Sequence, residues 1–415
     1  NPDHVLANSN LAKILMDEHG QVHEARLLLE AALEADPNYA PALSMYGNTI
    51  AHLESDFKRE SEYHAKAIKY GPALPEFRFC YIISLLQAGE FWQLKKEWKK
   101  HGPYLARWAQ VAPETPFLKP LVTIVPMILE PPSDFGTCVV VAEQCTSLLG
   151  GKALSPLLQQ AWKLRHSIPD EEELRLGSYG WLGMVAGHCE QYELALEVFR
   201  EAEKLEGKRG DASLNVAVTL GNLKRFDEAI ELANSVEPGT SRAASIQANI
   251  LHDAGRREEA LEKYLLASQT EKDFVLPVAN GMKIAVKLGD ISAIKRLEIA
   301  AKENFGHTPD GQHAHAQARL ALGFPSEAAE ILCGLLYKDG EPHGLPEVAE
   351  DDEAEEPDLT LLGGLNENAT FFTLALSFLK SRQFGELIRL GDWMQEERSI
   401  HGDWNVLVAE ANRYL

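Results

Sequence analysis

Apolar residues recur every three or four positions through most of the chain, in segments of helical length broken by short polar or glycine-containing turns. The pattern predicts helices arranged in pairs. One packing position followed down the second helix of each pair gives Ala25, Glu60, Leu94, Ala195, Ala229, Ala260, Ile294, Ala328 and Leu387, at spacings of 35, 34, 101, 34, 31, 34, 34 and 59 residues. Unrelated amphipathic helices would not keep returning to 34, so the chain reads as an array of repeats, each unit contacting mainly its neighbours. The 101-residue interval is one short of three repeats and predicts two degenerate hairpins across 101–177. The 59-residue interval exceeds one repeat by 25 residues and locates an insertion.

Three consecutive blocks carry the pattern most fully. The first runs Tyr179, Leu182, Gly183, Ala186, Tyr192, Ala195, Phe199 and Ala202; the second has Ala217, Leu220, Phe226, Ala229 and Ala233; the third has Ala248, Leu251, Ala260, Tyr264 and Ala267. Steric need explains the mixture. Helices cross closely only where side chains are small, and an aromatic ring or leucine one turn later fills the groove beside the contact. Gly20, Gly89, Gly255, Gly289 and Gly323 fall between the paired helices, where a left-handed backbone is often required, and Asp36-Pro37, Gly71-Pro72 and Glu237-Pro238 fall between successive units.

These residues resemble the tetratricopeptide repeat family over about four fifths of the chain. The resemblance implies an all-α, right-handed superhelical solenoid of helix-turn-helix hairpins whose concave groove holds an extended peptide or a helix of a partner protein. Glu60, Leu94 and Ile294 stand where the family places a small residue, and the hairpins that carry them are expected to pack more loosely. The expected organisation is N-terminal hairpins over 1–100, proline-interrupted degenerate hairpins over 101–177, a regular array over 178–337, an acidic insertion over 338–360, and a C-terminal hairpin with a capping helix over 361–415. Residues 101–135 contain Pro103, Pro113, Pro116, Pro120, Pro126, Pro131 and Pro132, so interrupted helix is expected there. Trp92, Trp98, Tyr104 and Trp108 beside them read as a local core. The chain begins Asn1-Pro2, which matches the end of a preceding repeat and suggests that the array once continued upstream.

Charge narrows the class of partner. The 62 acidic and 40 basic residues give a formal net charge of −22, which opposes binding to nucleic acid or to an anionic membrane surface. No apolar run approaches the roughly 20 residues needed to span a bilayer. Ten acidic residues and no lysine or arginine lie between Asp339 and Asp358, composing a solvated loop with the potential to meet a basic partner. Five cysteines without ligand spacing fit a reducing compartment, and the expected location is the cytoplasm.

Motifs of catalysis, cofactor binding or metal binding are not apparent, and no cofactor is expected. His313 and His315 are two apart on a predicted helix and so point to different sides. Gly177, Gly180 and Gly183 follow no strand and do not make a nucleotide loop. In the groove implied by the resemblance, residues one and five places after each small site of the first helix form polar rows. These are Asn48, Asn249 and Lys283, then His52, His188, Asn222, Asp253 and Lys287, with Arg242 near the start of its helix. Amide and charged side chains suit the backbone or termini of a peptide. The expected function is a non-catalytic scaffold or adaptor for protein partners; the alternative is the substrate-recruiting arm of a larger enzyme such as a glycosyltransferase.

Overall fold

The computed structural model describes residues 4–17, 20–112, 114–115, 117–207, 210–236, 241–270, 275–338, 341–342 and 367–398. Among them are 21 α-helices, one short 3-10 turn and a pair of two-residue strands. The chain divides into two compact units, Asn1–Leu205 and Glu206–Leu415.

In the first unit, α1 (Val5–Asp17) pairs with α2 (Val22–Ala35), α3 (Ala40–Glu54) with α4 (Phe57–Tyr70), and α5 (Pro75–Ala88) with α6 (Phe91–Val111). After α7 (Leu118–Leu129) come two further hairpins, α8 (Phe135–Leu149) with α9 (Gly151–Leu164), and α10 (Glu172–His188) with α11 (Tyr192–Glu206). The second unit holds α12 (Asp211–Asn222) with α13 (Phe226–Ser235), α14 (Ser241–Asp253) with α15 (Arg257–Thr270), and α16 (Leu276–Leu288) with α17 (Ile291–Phe305). It ends with α18 (Pro309–Ala321) and α19 (Pro325–Leu336), then α20 (Glu367–Lys380) and α21 (Phe384–Arg398). Within this unit α12, α14, α16, α18 and α20 each contact the next in that series, so the hairpins stack with their first helices side by side.

The hairpin turns share one construction. Gly20, Ser55, Gly89, Glu190, Lys224, Gly255, Gly289, Gly323 and Arg382 all have positive φ, and each lies two residues before the second helix begins. At seven of them the turn residue donates its N–H to the carbonyl three back, and the next residue donates to the carbonyl five back from itself, as Lys224 to Gly221 and Arg225 to Leu220. This pairing satisfies carbonyls that the end of a helix would leave open. Five residues after each left-handed residue stands the second-helix packing site, so the intervals between turns repeat those found in the sequence.

That packing site is buried in every case, at 0 % exposure for Ala25, Leu94, Ala195, Ala229, Ala260, Ala328 and Leu387. Glu60 and Ile294 are buried as well, at 7 % and 1 %. The facing helix supplies a second small residue in the best-formed units. A Cβ at Gly183 would lie 2.5 Å from the Phe199 ring, and one at Gly281 would lie 3.0 Å from Tyr264 Cβ. These approaches bring the two backbones together over the buried aromatic groups.

Residues 101–177 differ from two full hairpins. Three helices lie between α6 and α10, so α7 has no hairpin partner and packs on α6 and α9. Pro103 and Pro126 lie inside α6 and α7, which end at Val111 and Leu129. Pro103 lies on the exposed side of α6, where a carbonyl that loses its N–H partner can be met by water, and Gly102 packs beneath Trp98. Trp108 meets Phe79 edge-on and Tyr104 lies under Arg78, whereas Trp92 is 80 % exposed.

The acidic segment enters through an antiparallel pair, Tyr337–Lys338 with Glu341–Pro342. Residues 339–340 and 343–358 lie outside the described residues, as does the capping helix expected toward the C-terminus beyond 398. Directly after the insertion α20 packs on α19, where Phe371, Leu374 and Phe378 join Ala328, Leu332 and Leu336 in one core.

Close approach at Gly183 makes a quantitative expectation. Gly183→Val should destabilise the first unit by about 1–3 kcal/mol through overpacking against Phe199, measured as a shift of the urea midpoint. Combining it with Phe199→Leu should cost less than the sum of the single changes; strict additivity would show that the ring is not what the new side chain meets.

Candidate functional site

Two polar surfaces are built on the first helices. In the first unit, Asn48 and His52 on α3, Phe57 and Glu60 on α4, and Gln87 on α5 line a hollow of about 400 Å³ together with Ala51. Gly47 permits this arrangement, since a Cβ there would stand 3.3 Å from the Glu60 carbonyl and from Tyr63 Cβ. Beneath the hollow His64 Nε2 lies 3.3 Å from Glu60 Oε1, and His64 Nδ1 lies 3.0 Å from Ser44 Oγ. His64 is 0 % exposed and Ser44 6 %.

Serine, histidine and carboxylate in a row invite comparison with a hydrolytic triad. The ring is reversed relative to that arrangement, with Nδ1 toward the hydroxyl and Nε2 toward the carboxylate, and the serine is sealed from any substrate. The row works instead as a lock between α3 and α4, holding the Glu60 side chain in one place.

In the second unit the polar residues join neighbouring first helices. Arg242 of α14 lies 3.9 Å from Asp211 of α12, both exposed. Tyr264 of α15 donates its hydroxyl hydrogen to Asn249 Oδ1 on α14, and its hydroxyl also meets the Asn280 side chain on α16. Burial pushes the Tyr264 phenol above its ordinary acidity range; Asp253 adds to the rise and Asn280 opposes it. Lys283 on α16 acts electrostatically on Asp310 and His313 of α18. Burial raises the Asp310 carboxyl above its ordinary value while Lys283 draws it back.

The sequence-predicted residues are therefore distributed as follows. Asn48 and His52 come together in one hollow. Arg242, Asn249, Asp253 and Lys283 lie along α14 and α16, coupled through Asp211, Tyr264, Asn280 and Asp310. Asn222 and Lys287 are exposed in the last turns of α12 and α16, and His188 is exposed at the end of α10. Sequence reasoning missed Glu60 and Gln87 as lining residues, and Tyr264, Asn280 and Asp310 as partners of the row. For Glu60 a signal existed, a carboxylate at a packing site otherwise filled by small or apolar residues.

His313 and His315 do point apart. His313 is 3 % exposed and contacts Thr373 Oγ1 at 3.1 Å, Gln317 Nε2 at 3.1 Å and Thr370 Oγ1 at 3.4 Å, which docks α20 on α18. His315 faces Glu298 at 3.7 Å. Among the described residues no three His, Cys, Asp or Glu side chains gather as a metal site, and no helix is long and apolar enough to cross a membrane. All five cysteines are free, with Cys138, Cys145 and Cys189 buried.

No family model matches the chain, and no curated protein matches it. Among solved structures it is similar to the APC/C hetero-tetramer Cut9-Hcn1, with 13 % identity and a TM-score of 0.40 over 99 % of this chain and 90 % of that one. It is also similar to yeast Tom70, with 11 % identity and a TM-score of 0.37 over 99 % and 88 %, and to the P58(IPK) TPR domain, with 12 % identity and a TM-score of 0.29 over 99 % and 97 %. Likeness at that level adds no weight of its own. The all-α array of stacked hairpins stands on the register of left-handed turn, small site and aromatic filler within the hairpins.

Acid should loosen the junction of α18 and α20. Burial, reinforced by Lys283, lowers His313 from 6.5 to about 4. A histidine held neutral in the folded state contributes stability that is complete above its unfolded pKa and is lost as pH falls from about 6.5 toward 4. By pH 5 that loss amounts to about 2 kcal/mol. Wild type should therefore lose about that much more stability than His313→Gln between pH 7 and pH 5, in urea titrations followed by circular dichroism. Equal losses would remove His313 as the acid-sensitive group.

Proposed function

We propose that this protein is a non-catalytic scaffold that holds a segment of another protein against the first helices of its hairpins. The observation that carries the reading is the polar row of the second unit. Arg242, Asn249, Asp253 and Lys283 come from stacked first helices, and their partners reach from one helix to the next. Second helices spend their small residues on packing, which leaves the first-helix face to carry the amides and charges.

Such a surface offers both hydrogen-bond donors and acceptors at intervals set by the stacking of helices. An extended segment presents unpaired backbone N–H and C=O groups at regular intervals, so mixed amides and charges can grip it without demanding one sequence. Asn48 and His52 give the first unit a corresponding place for a ligand. The net charge of −22 favours segments carrying basic residues. Residues 339–358 extend the acidic character of the chain and offer a second contact for such a partner.

The test uses the most exposed members of the row. Asn222→Ala, Arg242→Ala, Asp253→Ala and Lys287→Ala combined should leave the melting temperature within a few degrees of wild type, since all four are exposed. Quantitative affinity capture with both proteins should then show at least one specific partner depleted about tenfold by the variant, a loss of roughly 1.4 kcal/mol. Indistinguishable captured sets would end the groove reading. A parallel deletion of 339–358 reports separately on the acidic segment.

A further inference from the structure

The hollow of the first unit contains a carboxylate that the protein hydrogen-bonds through only one of its oxygens. Glu60 is 7 % exposed, its Oε1 is held by His64, and its Oε2 is buried without a hydrogen-bond partner. Leaving a buried acceptor unsatisfied costs about 1–3 kcal/mol, and more when the group is charged. Cations nearby are committed elsewhere. Lys58 pairs with Glu90 at 3.1 Å, while Arg59 and Arg26 both pair with Glu54 at 2.6 Å.

The rest of the lining is suited to one kind of visitor. Phe57 and Ala51 provide apolar wall, and Asn48 and Gln87 bring amides to the lining. A long basic side chain carries a methylene stem that packs on apolar surface and a head that donates several hydrogen bonds. Its charge would offset that of Glu60. The Ser44–His64–Glu60 lock fixes the carboxylate before anything binds, so little ordering is required of the protein on binding.

We propose that this hollow is a receptor for a lysine or arginine side chain of the bound partner segment. The proposal rests on the scaffold reading above and adds to it the chemistry of one anchoring residue. Glu60 is the charge-pairing group, Asn48 and Gln87 are further acceptors, and Phe57 covers the stem. His52, also part of the lining, borders the entering chain.

Random dodecapeptides displayed on phage and selected on the full chain provide the test. Enriched families should share a lysine or arginine at a fixed place. For a synthetic peptide from such a family, replacing that residue by norleucine (for lysine) or citrulline (for arginine) should weaken binding to wild type about tenfold or more. The same replacement should weaken binding to Glu60→Gln by less than about threefold, because the charge it pairs with is already gone. Gln at 60 keeps an acceptor for His64, so the variant should fold; Gln87→Ala, which leaves the lock untouched, serves as a second variant with a smaller effect in the same direction. Equal losses on wild type and Glu60→Gln, or enriched families with no fixed basic residue, would overturn the receptor while leaving the scaffold in place. A selection that enriches nothing, repeated with the Asn222, Arg242, Asp253 and Lys287 variant, would bring down both.

Discussion

Two helices can lie against each other closely enough to share a core only if the chain reverses in very few residues and a small side chain meets the facing backbone. In this protein both requirements are met at a fixed separation. A left-handed residue ends the first helix, and five residues later the packing site of the second helix is buried against its partner. Five of the nine left-handed positions hold glycine, where the conformation costs little; Ser55, Glu190, Lys224 and Arg382 adopt it without that freedom. For a residue with a Cβ the penalty is roughly 1–2 kcal/mol. The paired carbonyl contacts at Glu190, Lys224 and Arg382 offset it, because they satisfy groups that would otherwise be buried and unpaired.

The same constraint organises the exposed surface. With the inner stripe of most helices given over largely to alanine, leucine and aromatic groups, the outer faces carry most of the charged side chains. On the second helices most charges are paired along one helix or with solvent, as in Arg200 with Glu203 at 2.8 Å. First helices instead meet one another across units, so a polar side chain there can pair beyond its own hairpin. Arg242 with Asp211, and Tyr264 between Asn249 and Asn280, are such pairings. Repetition thus turns a steric rule about hairpins into a surface with regularly spaced hydrogen-bonding groups, which is the physical basis for treating it as a binding face.

How far the sequence disclosed this depended on how local the cause was. The positions of the turns and of Ala195, Ala229 and Ala260 were legible because the close approach acts within about a dozen residues, and small residues leave a periodic trace. The unpaired α7 was not legible. Its place follows from packing on α6 and α9, and a helix that joins distant elements leaves no interval to count. Pro103 misled for a related reason, since proline forbids one hydrogen bond but does not end a helix whose exposed side can turn that carbonyl to water. Asn48 and His52, singled out by their offset to the small site, line one hollow, yet Gln87 comes from the next hairpin and Asp310 from the helix beyond Lys283. Contacts between units have no fixed offset in the chain, so the partners of the row appeared only in three dimensions.

The departures at the packing site itself are not equivalent. Leu94, Ile294 and Leu387 replace a small residue by an apolar one, and burial alone compensates them. Glu60 cannot be compensated that way. It comes with His64 one turn further along α4 and with Ser44 on the facing α3, three polar groups at positions where apolar ones would give the hairpin a simpler core. If the cluster served packing only, closing the last valence with one more donor would be the economical solution, and Lys58 and Arg59 lie within two residues of Glu60. Both instead reach outward to Glu90 and Glu54. A carboxylate held by His64 through one oxygen, in the lining of an open hollow, is preorganised for a charge that arrives from outside.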